Sequence, residues 1–118
     1  MTTEILKFMV ESAADFELSK VEPNSYNIRY MFKNCVIGLG KIETIESSRY
    51  YPLLLTRACE GLIKEKVYDF DMFVDISGGW NIRLLDIETG VPHDHVTGST
   101  PDEAKEAAIT AVMKEMIG

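Results

Sequence analysis

At 118 residues, with 46% hydrophobic and 26% charged residues, the chain has the length of one ordinary domain and the composition of a globular protein, not of a linker or a disordered tract. No apolar run approaches the roughly 18 residues a membrane span requires, and Met1-Thr2-Thr3-Glu4 lacks a basic region leading into an apolar one, so the expectation is a cytoplasmic protein with no membrane partner. The net charge of -7 is one-sided: Lys and Arg against Asp and Glu number 7 against 7 in residues 1–59 and 5 against 12 in residues 60–118, which disfavours direct nucleic-acid binding and favours basic partners.

Residues 4–14 place Ile5, Leu6, Met9, Val10 and Ala13 on one side and Glu4, Lys7 and Glu11 on the other, the period of a helix packed on a core, with Thr3 as its cap. Residues 15–22 then alternate, with Phe16 and Leu18 on one face. After the turn signal Pro23-Asn24-Ser25, Tyr26, Ile28, Tyr30 and Phe32 resume that face. This predicts a β-hairpin.

The second half restates the first: Tyr26-Asn27-Ile28-Arg29 returns 54 residues later as Trp80-Asn81-Ile82-Arg83. Phe70, Met72, Val74 and Ile76 alternate with Asp71, Phe73 and Asp75 before Ser77-Gly78-Gly79. A three-residue loop pairs Ile76 with Trp80, Val74 with Ile82 and Met72 with Leu84, keeping both apolar rows together; the same register in the first copy pairs Leu18 with Tyr30 and Phe16 with Phe32. Trp80, Ile82 and Leu84 then face the core and Asn81 and Arg83 the solvent.

A third strand follows in each copy, Cys35 to Ile45 and Pro92 to Thr97, the second after a Glu88-Thr89-Gly90 turn. Each copy ends in a helix with proline at its expected first position, Pro52 or Pro101, where a missing N–H costs nothing, and with a capping box at Thr100-Pro101-Asp102-Glu103. Their apolar stripes, Ala58, Cys59, Leu62 and Ile63 against Ala108, Ile109, Val112 and Met113, match at an offset of about 50, a drop from 54 assigned to a shorter third-strand region. The prediction is an α+β fold of order α-βββ-α-βββ-α, internally duplicated, with antiparallel sheet packed by helices in two layers. It is a single domain, 1–118, with pseudo-repeats at about 4–66 and 60–117. Met31, Phe73, Leu85 and Ile87 on the outer face leave room for a third layer or a homodimer interface. Cys35 and Cys59 are expected to be buried, reduced thiols.

Candidate chemistry is sparse. In Pro92-His93-Asp94-His95 the two histidines share one face of a strand, as two metal ligands would, but no third ligand stands at a fitting spacing. Asp69, Asp71, Asp75, Asp86 and Glu88 form the densest carboxylate set; Asp71 and Asp75 share an outer strand face with Arg83 diagonally across, the pattern of exposed ion pairing more than of paired acid-base catalysis. Arg29 and Arg83 hold equivalent places in the two copies and read as sheet-surface arginines or as a pair of anion contacts. Gly38-Leu39-Gly40-Lys41 lacks the spacing of a phosphate-binding loop and reads as a strand with close backbone approach or a bulge. Ser12, Ser47 and Ser48 lack the sequence context of a nucleophile, and Trp80 reads as a core anchor. No catalytic residue and no cofactor is assigned.

Three resemblances accompany this reading. Each half, helix, three strands and helix, resembles the double-stranded RNA-binding domain, and Ser99 to Val112 (STPDEAKEAAITAV) is similar to that family's final helix. Asp102, Glu103 and Glu106 stand where the family's cations would meet phosphate and only Lys105 remains, so the resemblance implies topology without RNA binding. Val96-Thr97-Gly98-Ser99-Thr100-Pro101-Asp102-Glu103-Ala104 resembles the strand-to-helix junction of HicB-type antitoxins. Pro52-Leu53-Leu54-Leu55-Thr56-Arg57-Ala58-Cys59 and Gly79-Trp80 resemble segments of small bacteriophage proteins with an alpha-beta-alpha sandwich, which implies a mobile-element context and no chemistry.

The function expected is a non-enzymatic protein-binding module acting through a sheet face, an edge strand or the acidic second half, on an unidentified protein partner. The alternative is a small acidic inhibitor presenting carboxylates to a basic, nucleic-acid-binding host protein. An enzyme, which requires a pocket of convergent polar groups, comes third.

Overall fold

A computed structural model describes the chain except residues 24, 66, 67, 87 and 118; at 63–65, 68–70, 93, 116 and 117 it describes the backbone only. The elements run α1 (Thr3–Ser12), β1 (Phe16–Glu22), β2 (Ser25–Phe32), β3 (Cys35–Lys41), a 3-10 helix (Ile42–Ser47), α2 (Tyr51–Glu65), β4 (Tyr68–Val74), β5 (Trp80–Asp86), β6 (Pro92–Gly98) and α3 (Pro101–Ile117). The chain divides into two units, Met1–Ala58 and Cys59–Gly118, each with one antiparallel sheet, β1-β2-β3 and β4-β5-β6. The α-βββ-α-βββ-α order expected from the sequence is the order observed.

In the first unit α1 buries Leu6, Met9 and Val10 and packs beside β1 and the 3-10 helix, over a sheet face made of Phe16, Ile28 and Tyr30. The Phe16 and Tyr30 rings are direct cross-strand partners with centroids 4.8 Å apart, the closest kind of pair on an antiparallel surface. In the second unit α3 lies on β5 and β6, and its Ala104, Ala108, Ile109 and Val112 close over Ile82 and Leu84, all fully buried. The small alanines let helix and sheet approach closely, and the sheet supplies the bulk. Along α2, Leu54, Leu55, Ala58, Cys59 and Leu62 are buried.

The duplication is written into the strand pairing. Phe16↔Tyr30, Glu17↔Arg29, Leu18↔Ile28, Ser19↔Asn27 and Lys20↔Tyr26 in the first hairpin recur as Phe70↔Leu84, Asp71↔Arg83, Met72↔Ile82, Phe73↔Asn81 and Val74↔Trp80, each position 54 residues on. The copies part at their ends. Arg29 pairs with Gly38 and Arg83 with His95, so the third strands stand 57 apart, whereas the helices stand about 50 apart. Both third strands have seven residues. The shortening therefore lies in the connection, residues 42–50 in the first copy against 99–100 in the second, and not in the strand itself.

That longer connection corrects the expected strand from Cys35 to Ile45. It ends at Lys41, and Ile42 and Ile45, three apart and both fully buried, define one face of a 3-10 turn. Gly38-Leu39-Gly40 is the expected bulge: the register against β2 slips between Ile28 and Arg29, and Gly40 takes a φ of +84°, open to glycine without strain.

The three-residue hairpin loops are also corrected. Pairing in the second hairpin stops at Val74↔Trp80, leaving residues 75–79 as the turn, and in the first it continues through a bulge to Glu22↔Ser25. A slip of two residues keeps every side chain on its face, so the apolar alternation is blind to it. Thr2, not Thr3, caps α1, its hydroxyl accepting the Ile5 N–H at 3.3 Å. At α3 the Thr100 hydroxyl accepts from the Glu103 N–H at 3.1 Å, and Glu103 in return accepts the Ser99 N–H at 2.8 Å. Cys59 is buried as expected, but Cys35 is exposed, because it opens an edge strand beyond the reach of α1.

Candidate surface on the second sheet

Asp75 explains where the second hairpin turns. One of its carboxylate oxygens accepts the Ser77 N–H at 2.9 Å, the Ser77 hydroxyl at 2.6 Å and the Gly79 N–H at 3.0 Å. Its backbone closes the loop at both ends, N–H to the Gly79 carbonyl and carbonyl from the Gly78 N–H, each at 3.0 Å. Gly78 sits at a φ of +87°, which the turn requires. The expectation of Asp75 on an outer strand face beside Asp71 is therefore corrected: it is a turn residue, and the hydrogen bonds it accepts outweigh what alternation alone assigns. The Ser77 hydroxyl, the Asn81 amide and the Gly79 N–H, in that order, hold its carboxyl down at about 2.

The other oxygen of Asp75 reaches Asn81, at 3.1 Å from the amide nitrogen, which also donates to the Gly79 carbonyl at 3.2 Å. Both partners only accept, which fixes the amide: its oxygen must point the other way. There the Nε2 of His95 lies 2.9 Å off. Nε2 consequently carries the hydrogen, and in neutral His95 the lone pair is on Nδ1. Asp75, Asn81 and His95 thus form one chain of hydrogen bonds running from the hairpin tip across β5 to β6.

Asn81 is only 4% exposed, although it lies on the face predicted to meet solvent. Phe73, its cross-strand partner on β4, and His95 on β6 account for this. Their rings are nearly parallel, 10° apart with centroids 6.1 Å away, so they approach each other across the strand between them. Arg83 lays its guanidinium against the Phe73 ring at 5.1 Å and pairs with Asp71, its direct neighbour across the strands rather than a diagonal one. Phe73 itself stays 38% exposed. The arrangement is a rigid aromatic platform with a cation on one ring, a ring nitrogen held by Asn81, and a buried amide beneath.

The remaining candidates are dispersed. Arg29 pairs with Glu17 at 3.0 Å, the first-copy version of Arg83 and Asp71, with both side chains about half exposed. Asp86 accepts the Glu88 and Thr89 N–H groups at 2.9 and 3.2 Å and shapes the turn into β6, where Glu88 is exposed. The side chains of His93, Asp69 and Phe70, and residue Ile87, lie outside the described residues, so the pairing of His93 with His95 does too. Among the described residues no three His, Cys, Asp or Glu side chains are placed to hold a metal ion, and no helix is long and apolar enough to cross a membrane. Trp80, expected in the core, is half-buried at the end of the apolar row.

The duplication supplies an internal control for the platform. Where the second sheet has Phe73, Asp75, Arg83 and His95, the first has Ser19, Val21, Arg29 and Gly38. Asn27 keeps the amide of Asn81 but is not buried, since neither ring stands beside it. The framework pairs are common to both copies, whereas the aromatic platform and its hydrogen-bond chain belong to the second alone. From the sequence, Asp75 groups with Asp71 and Arg83, His95 with His93, Phe73 with the apolar residues of the outer face, and Asn81 with the solvent-facing positions, so the five are not joined. Subtracting one repeat from the other was the signal that would have joined them. No family model, curated protein or solved structure matches the chain.

Proposed function

We propose that the protein is a non-enzymatic protein-binding module whose contact surface is the outer face of the second sheet. The observation that carries this reading is the exposed Phe73, stacked on His95 and under Arg83, at positions where the equivalent sheet has Ser19, Gly38 and an arginine without a ring. Interfaces concentrate their affinity in a few aromatic and arginine side chains held rigidly at the centre of a patch, and here the hydrogen bond to Asn81 holds the His95 ring, on which Phe73 stacks, before any partner arrives. A face serving only to keep the protein soluble has no need of a half-exposed phenylalanine over a buried amide.

The acidic-inhibitor alternative draws less support. Asp75 and Asp86 are engaged by their own turns, Glu103 by its helix cap and Asp71 by Arg83, so these carboxylates are not arrayed for a basic partner as a row of free groups. The two readings separate in one experiment. Tagged wild-type protein, Phe73→Ala and the matched first-copy change Ser19→Ala are used to capture partners from source-cell lysate at low and high salt. The binding-face reading expects one partner retained by wild type and Ser19→Ala at both salts, and depleted about tenfold or more by Phe73→Ala, the loss of one contact worth about 1.4 kcal/mol. Capture that ignores Phe73→Ala and vanishes at high salt supports the inhibitor instead.

A further inference from the structure

We propose that the outer edge of β4 takes up an extended segment of the partner as a fourth strand, with basic residues beside Asp71 and Phe73 and apolar ones beside Met72 and Val74. The inference rests on the binding-module reading and names what the bound segment must look like.

The backbone singles out this edge. Among the described residues β4 is bonded on one side to β5, and no strand pairs with its other side. The remaining three edges are each interrupted: the register of β1 slips between Lys20 and Glu22, that of β3 around Leu39, and that of β6 beside Pro92. Such bulges and prolines are how sheets spoil their edges as templates for another chain. Against β5, β4 runs seven pairs from Tyr68↔Asp86 to Val74↔Trp80 without a slip, and it contains no Pro, Lys or Arg. It is the one edge left fit to pair.

Its side chains point to the same use. On the helix-covered face Met72 is 37% and Val74 50% exposed, although Ile82, the direct partner of Met72, is fully buried. α3 covers β5 and β6, and the apolar face continues past it onto β4. Asp71 and Phe73 occupy the opposite face of the same strand, so a strand laid alongside meets apolar surface at every second residue and carboxylate with aromatic surface at the others. The charge decides between occupants. Asp71 is already paired with Arg83, so the attraction comes from the field of the whole half and not from a free carboxylate: β4 has two acids and no base, in a half of the chain with 5 bases against 12 acids. Pairing with β4 of a second copy sets like charges together, whereas basic side chains on the added strand are attracted.

The test is an NMR titration of the isotope-labelled full chain with three synthetic nonapeptides: Lys and Val in alternation, the same residues in two blocks, and Glu and Val in alternation. The expected result is that the alternating Lys-Val peptide shifts the amide signals of residues 68–74 and slows their hydrogen exchange by about tenfold or more, equivalent to about 1.4 kcal/mol of local stabilisation. The other two peptides leave them unchanged. Met72→Lys, a change on a part-exposed edge position, keeps the spectrum of the folded protein and abolishes the effect. Equal responses to all three peptides, shifts confined to other elements, or no response at millimolar peptide overturn the inference. Those outcomes leave the lysate capture by Phe73 untouched. Conversely, uptake of the alternating peptide on β4 by a protein whose capture ignores Phe73→Ala overturns the face and keeps the edge.

Discussion

The side-chain amide of Asn81 donates to the Asp75 carboxylate at 3.1 Å from a position that strand alternation assigns to solvent. A buried amide with both ends engaged stabilises; the same amide with one end cut off costs its desolvation. Asn81→Ala removes donor and acceptor together, opens space under Phe73 and His95, and frees the hairpin tip. The expected loss is about 1–3 kcal/mol in urea denaturation. Asn27→Ala, the same substitution in the first copy without rings beside it, is expected to stay within about 0.5 kcal/mol. Equal losses at the two positions would mean that the second-copy network adds nothing to stability.

Asp75 makes stability pH-dependent at the acid end. Its folded-state carboxyl titrates at about 2, against an unfolded value of about 4, so the ionised form is favoured by folding. A depressed carboxylate contributes stability above its unfolded value, and that contribution disappears as pH falls from about 4 through about 2. Asp75→Asn is therefore expected to be less stable than wild type at pH 6, with the gap in urea midpoint closing between pH 4 and pH 2. A gap that holds constant across that window refutes the linkage.

The sequence could be read for element order because that order rests on local pattern. Alternation in Phe16 to Phe32 and in Met72 to Leu84, and the Thr100 to Glu103 cap, are decided within a few residues. The hairpin register was not legible, since a slip of two residues leaves the apolar faces intact and only the oxygens of Asp75 distinguish the alternatives. Asn81 was not legible either. Its burial depends on Phe73 and His95, which reach it from strands on both sides, and no window along β5 contains them. The spacing of Ile42 and Ile45 was legible, and a period of three ought to have ended the strand at Lys41. The echo of Asn-Ile-Arg gave the architecture through what the copies share; the candidate surface lies in what they do not.

The two thiols are expected to behave oppositely. Burial pushes the Cys59 thiol up to about 12, with Lys105 opposing and Glu60 adding to the effect, so almost no thiolate exists there at neutral pH, while Cys35 is exposed. A chromogenic disulfide reagent at pH 8 should titrate one thiol in the native protein and a second only after urea is added. Cys35→Ser should abolish the fast reaction, and two rapid equivalents from the native wild type would place Cys59 within reach of solvent.

Gly98 and Gly38 make the sharpest pair of substitutions. Gly98 ends β6 opposite Trp80, and a β-carbon built there would stand 2.5 Å from the Ala104 nitrogen and 2.8 Å from two atoms of Glu103. Those atoms belong to the first turn of α3, held by the Thr100 cap and by the buried Ala104, so neither side yields without moving helix against sheet. Gly38, on β3 opposite Arg29, has nothing within 4 Å of the same added atom. Neither glycine has a positive φ, so the comparison is one of space alone. Gly98→Ala is expected to cost about 2–3 kcal/mol. Gly38→Ala should lie within about 0.5 kcal/mol of wild type, or gain slightly from the smaller loss of backbone freedom on folding. Urea denaturation of the two variants side by side measures both, and a tolerant Gly98 would mean that α3 docks more loosely on β6 than its contacts require.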